Sequence, residues 1–193
     1  MTRAAVARKV TYLLEPKNWI IVTIVAVGWH AQGLRGLCWG IVAALFAGVL
    51  PTLFISRGIR RGHWADRNVS DKRPRLLVLG FITASVAAGL IALTLADAPP
   101  ELVGYFVFML VSVAILAVIT TVWKISIHCA VASGSVTILT LAFGPELAAA
   151  YLLAAVTAWS RVELREHTVA QVVAGAVLGA LAALIGYRFI PAA

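Results

Sequence analysis

Residues 160–171 read SRVELREHTVAQ, a basic, histidine-containing stretch set directly before a long apolar run. Histidine can act near neutral pH as a nucleophile or a proton donor. Arginine offers a planar fork of donors that matches the oxygens of a phosphate. If a helix starts near Glu166, His167 lies in its first turn and Gln171 is four residues on, along the same face. At that spacing the amide can reach one imidazole nitrogen and fix the tautomer, leaving the other free to attack phosphorus. Two more polar clusters carry the same residue types: RGHWADRNVSDKRPR at 61–75 and WKISIHCA at 123–130.

The elements that must position these clusters are apolar. The chain has 193 residues, 62% hydrophobic and 12% charged, and stretches such as 76–96 and 102–123 hold no charged side chain. That pattern predicts an all-α integral membrane protein, a bundle of six or seven transmembrane helices in one domain, and argues against a soluble helical core. The runs fall at roughly 18–32, 36–56, 76–96, 101–123, 128–143, 146–159 and 168–189. Each adjacent pair of polar clusters is separated by two runs. A helical hairpin returns the chain to the side it left, so all three clusters are expected to meet at one membrane surface.

The bases report the orientation. Of sixteen Lys and Arg residues, all but Arg35 and Arg188 fall on the face of the three clusters, which is therefore expected to be cytoplasmic. Residues 1–17 read as a retained, basic interfacial segment ahead of a domain over 18–193. Trp19, Trp29, Trp39, Trp123 and Trp159 lie near run ends, where an indole anchors at the interface. Cys38 and Cys129 sit in or beside apolar runs and read as packing residues. Gly175 and Gly179 make a small-residue face expected to pack within the bundle. The abundance of Ala, Val, Leu and Arg over Lys suits a bacterial inner membrane, and no nucleic-acid partner is expected.

The three clusters resemble the signature of the type 2 phosphatidic acid phosphatases, the PAP2 superfamily, whose motifs are K-x6-R-P, P-S-G-H and S-R-x5-H-x3-D. The third aligns with Ser160, Arg161 and His167, the second with Ser126 and His128, and the first with Arg73 and Pro74. Asp66 stands at the lysine position, with Arg67 one place on to supply that charge; Ile125 and Ile127 replace Pro and Gly, and Gln171 replaces the aspartate. The sequence HTVAQV is similar to the third motif of dolichyl-diphosphatase-type members. The resemblance implies a lipid-phosphate phosphatase in which His167 attacks phosphorus, His128 protonates the departing lipid oxygen, and Gln171 orients His167. Arg67, Arg73, Arg161, Ser126 and Ser160 would hold the phosphate, with no metal or other cofactor. Its partners would be the lipid phosphate, with a polyprenyl chain favoured over phosphatidic acid or phosphatidylglycerophosphate, and the surrounding membrane lipids.

Two other readings use the same residues. Asp66 and Asp71 could bind magnesium and a diphosphate, as in membrane prenyltransferases, and the departures in the first two motifs would suit a binder or transporter that does not cleave. His30 and His63 lack motif context and read as capping and headgroup-proximal residues; Arg57, Arg60 and Arg61 read as topology determinants, and Lys72 and Arg75 are left between headgroup contact and solvation. Glu163 and Glu166 read as solvated or paired with a helix N-terminus.

Overall fold

The computed structural model describes residues 2–63 and 72–187, and among them there are helices and no strands. Arg67, Asp66, Asp71 and Arg188 lie outside the described residues. The helices are α1 (Arg3–Leu13), α2 (Pro16–Ala44), α3 (Leu50–Arg60), α4 (Lys72–Leu95), α5 (Pro100–Val122), α6 (Ile127–Phe143), α7 (Tyr151–Glu163) and α8 (Val169–Tyr187). Four helical runs are long and apolar enough to cross a membrane: Arg3–Arg60, Arg73–Leu95, Pro100–Val122 and Val169–Tyr187. At 17 and 13 residues, α6 and α7 are shorter.

The first of those runs is not straight. Gln32 and Gly33 leave helical geometry, and Gly33 has φ 55° and ψ −130°, a conformation open only to glycine. The chain reverses there, between the two runs expected at 18–32 and 36–56. Its two arms pack so closely that a methyl on Gly36 would overlap the carbonyl oxygen of Gly28. The second arm continues through a π-helical turn, Leu45–Val49, into α3. Pro51 lacks the N–H that the carbonyl four residues earlier would accept, which favours a local change of helix type. Hydroxyls take up the slack, Ser85 donating to the Phe46 carbonyl and Thr52 to that of Gly48 at 2.7 Å.

Helix α6 is the centre of the bundle, buried from Cys129 to Ile138 at every position but Val131. Its sequence CAVASGSVT explains this, since small side chains let neighbours approach on every side. Helix α8 runs parallel to it. Methyls on Gly175 and Gly179 would overlap the carbonyl oxygens of Ser126 and Ala130, and Ser133 Oγ donates to the Ala176 carbonyl at 2.6 Å. The small-residue face therefore packs within the chain, as expected.

The N-terminal segment is packed rather than loose. Thr11 Oγ1 lies 3.0 Å from Ser160 Oγ on α7, and Arg3 pairs with Glu163 at 3.6 Å. Trp19 corrects its expectation as an interfacial anchor. It is buried against Leu14, Val131, Ala132, Val136 and Ala154, because this end of α2 packs onto α6 and α7. The outer surface of the bundle is apolar, with Leu77, Ile91, Val118, Val122, Leu152 and Val177 each more than half exposed. Exposed apolar side chains on this scale suit a nonaqueous neighbour.

Candidate functional site

One end of the bundle holds a cavity of about 160 Å³ whose lining includes Lys17, Arg75, His128, Arg161 and His167. Four helices begin there. Lys17 is the second residue of α2, Arg75 lies in the first turn of α4, His128 in the first turn of α6, and His167 just ahead of α8. Helix N-termini carry partial positive charge and unpaired N–H groups. Placing cations there is unfavourable unless an anion joins them, so the arrangement is one for binding an anion.

His167 is fixed by two terminal motifs that meet around it. Helix α7 ends with Arg165 at φ 55°, and two backbone bonds close the turn, Glu166 N–H to the Arg161 carbonyl and Arg165 N–H to that of Val162. This is a Schellman termination with arginine in the place glycine normally takes, which costs about 1–2 kcal/mol of backbone strain. Immediately after His167, Thr168 and Gln171 form a capping box: Gln171 N–H donates to Thr168 Oγ1 at 3.3 Å, and Thr168 N–H to Gln171 Oε1 at 3.1 Å. The helix thus starts after His167, and not at Glu166 as the spacing suggests.

The same Gln171 Oε1 lies 3.3 Å from His167 Nδ1, and so does the Lys124 carbonyl oxygen. Both are acceptors, and the Thr168 bond fixes which way the amide points. Nδ1 therefore carries the proton and Nε2 presents its lone pair. His167 is 7% exposed. Burial, then Arg161, Arg75 and Lys124, lower its pKa to about 4, against a small opposing contribution from Gln171. The imidazole is neutral at pH 7.

Its neighbours arrive from α6 and α7. Ser126 caps α6, its Oγ accepting from Cys129 N–H at 3.4 Å, and its own N–H donates to the Gln171 carbonyl at 3.2 Å. That bond ties the start of α6, and with it His128, to the start of α8. His128 Nε2 is buried and has no hydrogen-bond partner among the described groups. Arg161 is 1% exposed, with Nη2 3.6 Å from Glu166 Oε2.

The structure brings His128, Arg161 and His167 to the chamber and Gln171 to its edge, and it separates three other residues from them: Ser126, fully buried as the cap of α6 and outside the lining, Ser160 and Arg73. Ser160 is fully buried on the α1–α7 seam, donating to the Thr157 carbonyl at 2.7 Å, and does not line the chamber. Arg73 is exposed, whereas Arg75 is 6% exposed, lines the chamber and donates to the Ile125 carbonyl. Two residues apart on a helix point about 200° apart, so only one of the pair can face the bundle. Arg75 was visible in the sequence, but nothing in its spacing favoured it over Arg73. Lys17, read only as a topology marker, also lines the chamber. His30 packs on Phe143, with ring centroids 4.8 Å apart, and takes no part in the site; nor does His63 line it.

The chamber has an apolar neighbour. A second cavity of about 130 Å³, lined by residues such as Val86, Tyr105, Met109 and Leu116, shares Pro16, Ile20, Leu79, Ile82 and Ile127 with it. Comparison with family models, with curated proteins and with solved structures finds no match for this chain.

Proposed function

We propose that the protein is an integral membrane lipid-phosphate phosphatase that works through a phosphohistidine. The observation that carries this reading is the shared wall: two histidines and one buried arginine, Arg75, at helix starts, with the buried Arg161 from the last turn of α7, line a chamber that adjoins an apolar cavity. An amphiphile with a phosphate head and a hydrocarbon tail fits both. Nε2 of His167 attacks phosphorus, the bond from phosphorus to the lipid oxygen breaks, and His128 gives that oxygen a proton. Arg161 and Arg75 hold the oxygens on which charge accumulates. Water then attacks the phosphohistidine, His128 takes its proton back, and phosphate leaves.

A polyprenyl phosphate or diphosphate is the favoured substrate, with phosphatidic acid or phosphatidylglycerophosphate second. The test is phosphate release by the purified protein in detergent with chelator present, across these lipids and beside His167→Ala. Chelator-resistant release that the variant loses supports the reading. Release that needs added magnesium would favour the prenyltransferase-like alternative instead. A binder that does not cleave is the other reading, favoured by Ile127 lining the chamber where the resembled motif has glycine. It predicts lipid-phosphate binding without release.

The segregation of bases supports a chamber facing the cytoplasm, and the abundance of Ala, Val, Leu and Arg over Lys supports a bacterial inner membrane. Arg60→Cys in a Cys38→Ser background should resist an impermeant maleimide applied from outside. Labelling from outside would reverse the orientation.

A further inference from the structure

The chamber's lining holds three cations, Lys17, Arg75 and Arg161, and one carboxylate, Glu15. Arg75 and Arg161 are the pair assigned above to the reacting phosphate. Lys17 comes from the α1–α2 corner, the only stretch of the lining in which a carboxylate and a base alternate around a proline. Glu15 caps α2, Pro16 opens it, and Lys17 Nζ lies 2.8 Å from Glu15 Oε2. A lysine at the second position of a helix faces the positive end of the dipole. Its position is therefore favourable only with negative charge close by, and Glu15 supplies one such charge.

An ammonium has three donors, so Lys17 can keep Glu15 and still offer N–H groups to a second acceptor. The Lys17 and Glu15 side chains are 27% and 14% exposed, so the pair is partly withdrawn from solvent, where a charge-assisted bond is stronger than at an open surface. A lipid monophosphate held by Arg75 and Arg161 satisfies two of the three cations. A lipid diphosphate carries additional negative charge and a second set of oxygens beyond the reacting phosphorus or before it.

We propose that Lys17 is a specificity-determining residue that binds the second phosphate of a lipid diphosphate and makes the chamber prefer diphosphate over monophosphate headgroups. This rests on the reading of the chamber as a lipid-phosphate site. Glu15 neutralises the ammonium between ligands and does not itself contact the lipid.

The test is equilibrium binding of two non-hydrolysable probes with the same tail, geranylgeranyl phosphonate and geranylgeranyl methylenebisphosphonate, to the full-length protein in detergent. The wild type should bind the bisphosphonate more tightly. Lys17→Met keeps the length of the side chain and removes its charge. It should weaken bisphosphonate binding by roughly tenfold or more and leave monophosphonate binding within about twofold, the scale of one charged hydrogen bond. Glu15→Gln keeps the ammonium and should retain the preference. No preference in the wild type, equal losses for both probes in Lys17→Met, or loss of the preference in Glu15→Gln would each overturn the proposal. Turnover of the corresponding phosphates by the wild type, measured alongside, tests the phosphatase reading separately, because the ratio of binding constants needs no catalysis.

Discussion

The bundle contains two glycine seams built alike. Between the arms of α2, Gly28 and Gly36 bring two antiparallel helices into backbone contact next to a reversal at Gln32–Gly33. Between α6 and α8, Gly175 and Gly179 do the same for two parallel helices. Each seam has a histidine near its end, His30 in the first and His167 in the second. Antiparallel arms put one helix start beside one helix end, so their dipoles oppose. Parallel helices put two starts side by side, where N–H groups and partial positive charge add. Close packing is common to both seams, and only the parallel one concentrates a field that suits an anion.

The difference can be broken most sharply at the histidines. His167→Ala is expected to abolish lipid-phosphate turnover, by at least about a thousandfold, while His30→Ala leaves it within about twofold. Steady-state phosphate release on both variants decides this, and comparable losses would remove the distinction between the seams. Next in size is the arginine pair on α4. Arg75→Ala should lower kcat/KM by about a hundredfold, since it removes a buried cation from the chamber, and Arg73→Ala by no more than about threefold. The reverse order would return the assignment to Arg73.

The seams themselves give a smaller effect. Gly179→Ala and Gly36→Ala each force a methyl against a carbonyl and should each cost about 1–3 kcal/mol of stability. Only Gly179→Ala should also lower kcat in the folded fraction, by about tenfold, because it moves the start of α8 against α6. Thermal unfolding beside kcat separates the two contributions.

The pH profile gives the finest comparison. Attack needs neutral His167, whose pKa is lowered to about 4 by burial and by Arg161, Arg75 and Lys124. The active form persists as pH falls from 7 through 6.5 and is lost only as it passes about 4. Once the ionisation of the phosphate near pH 6 is allowed for, kcat/KM should show its acid limb near 4. A limb near 6.5 would mean that His167 is more solvated than this site allows.

Much of the framework could be read from the sequence because it depends on local rules. Hydropathy located the reversal between 18–32 and 36–56, and glycine spacing marked the close-packing face of α8, though not α6 as its partner. Three polar clusters separated by pairs of apolar runs were expected on one surface, and His128, Arg161, His167 and Arg75 from those clusters share one chamber. What could not be read depends on helix phase and on the neighbours of a side chain. Arg73 and Arg75 are equally basic, and only the rotation of α4 in the bundle turns Arg75 inward, onto the Ile125 carbonyl. Trp19 lies near a run end like an anchor, and only its packing against α6 and α7 buries it. The Thr168–Gln171 capping box had a visible T-x-x-Q signature, yet Gln171 was read only as a partner for histidine. It serves both purposes through one oxygen, a sharing that spacing alone does not reveal.

The central claim is that His167 becomes phosphorylated. The most direct test is rapid denaturing quench of the protein with its lipid substrate, followed by mass spectrometry of the peptide containing residues 162–171. A phosphate on His167 that survives alkali and is lost in acid, absent from His167→Ala, is the expected result. Continued turnover with no phosphate on His167 at any quench time, or with phosphate on another residue, would contradict the account.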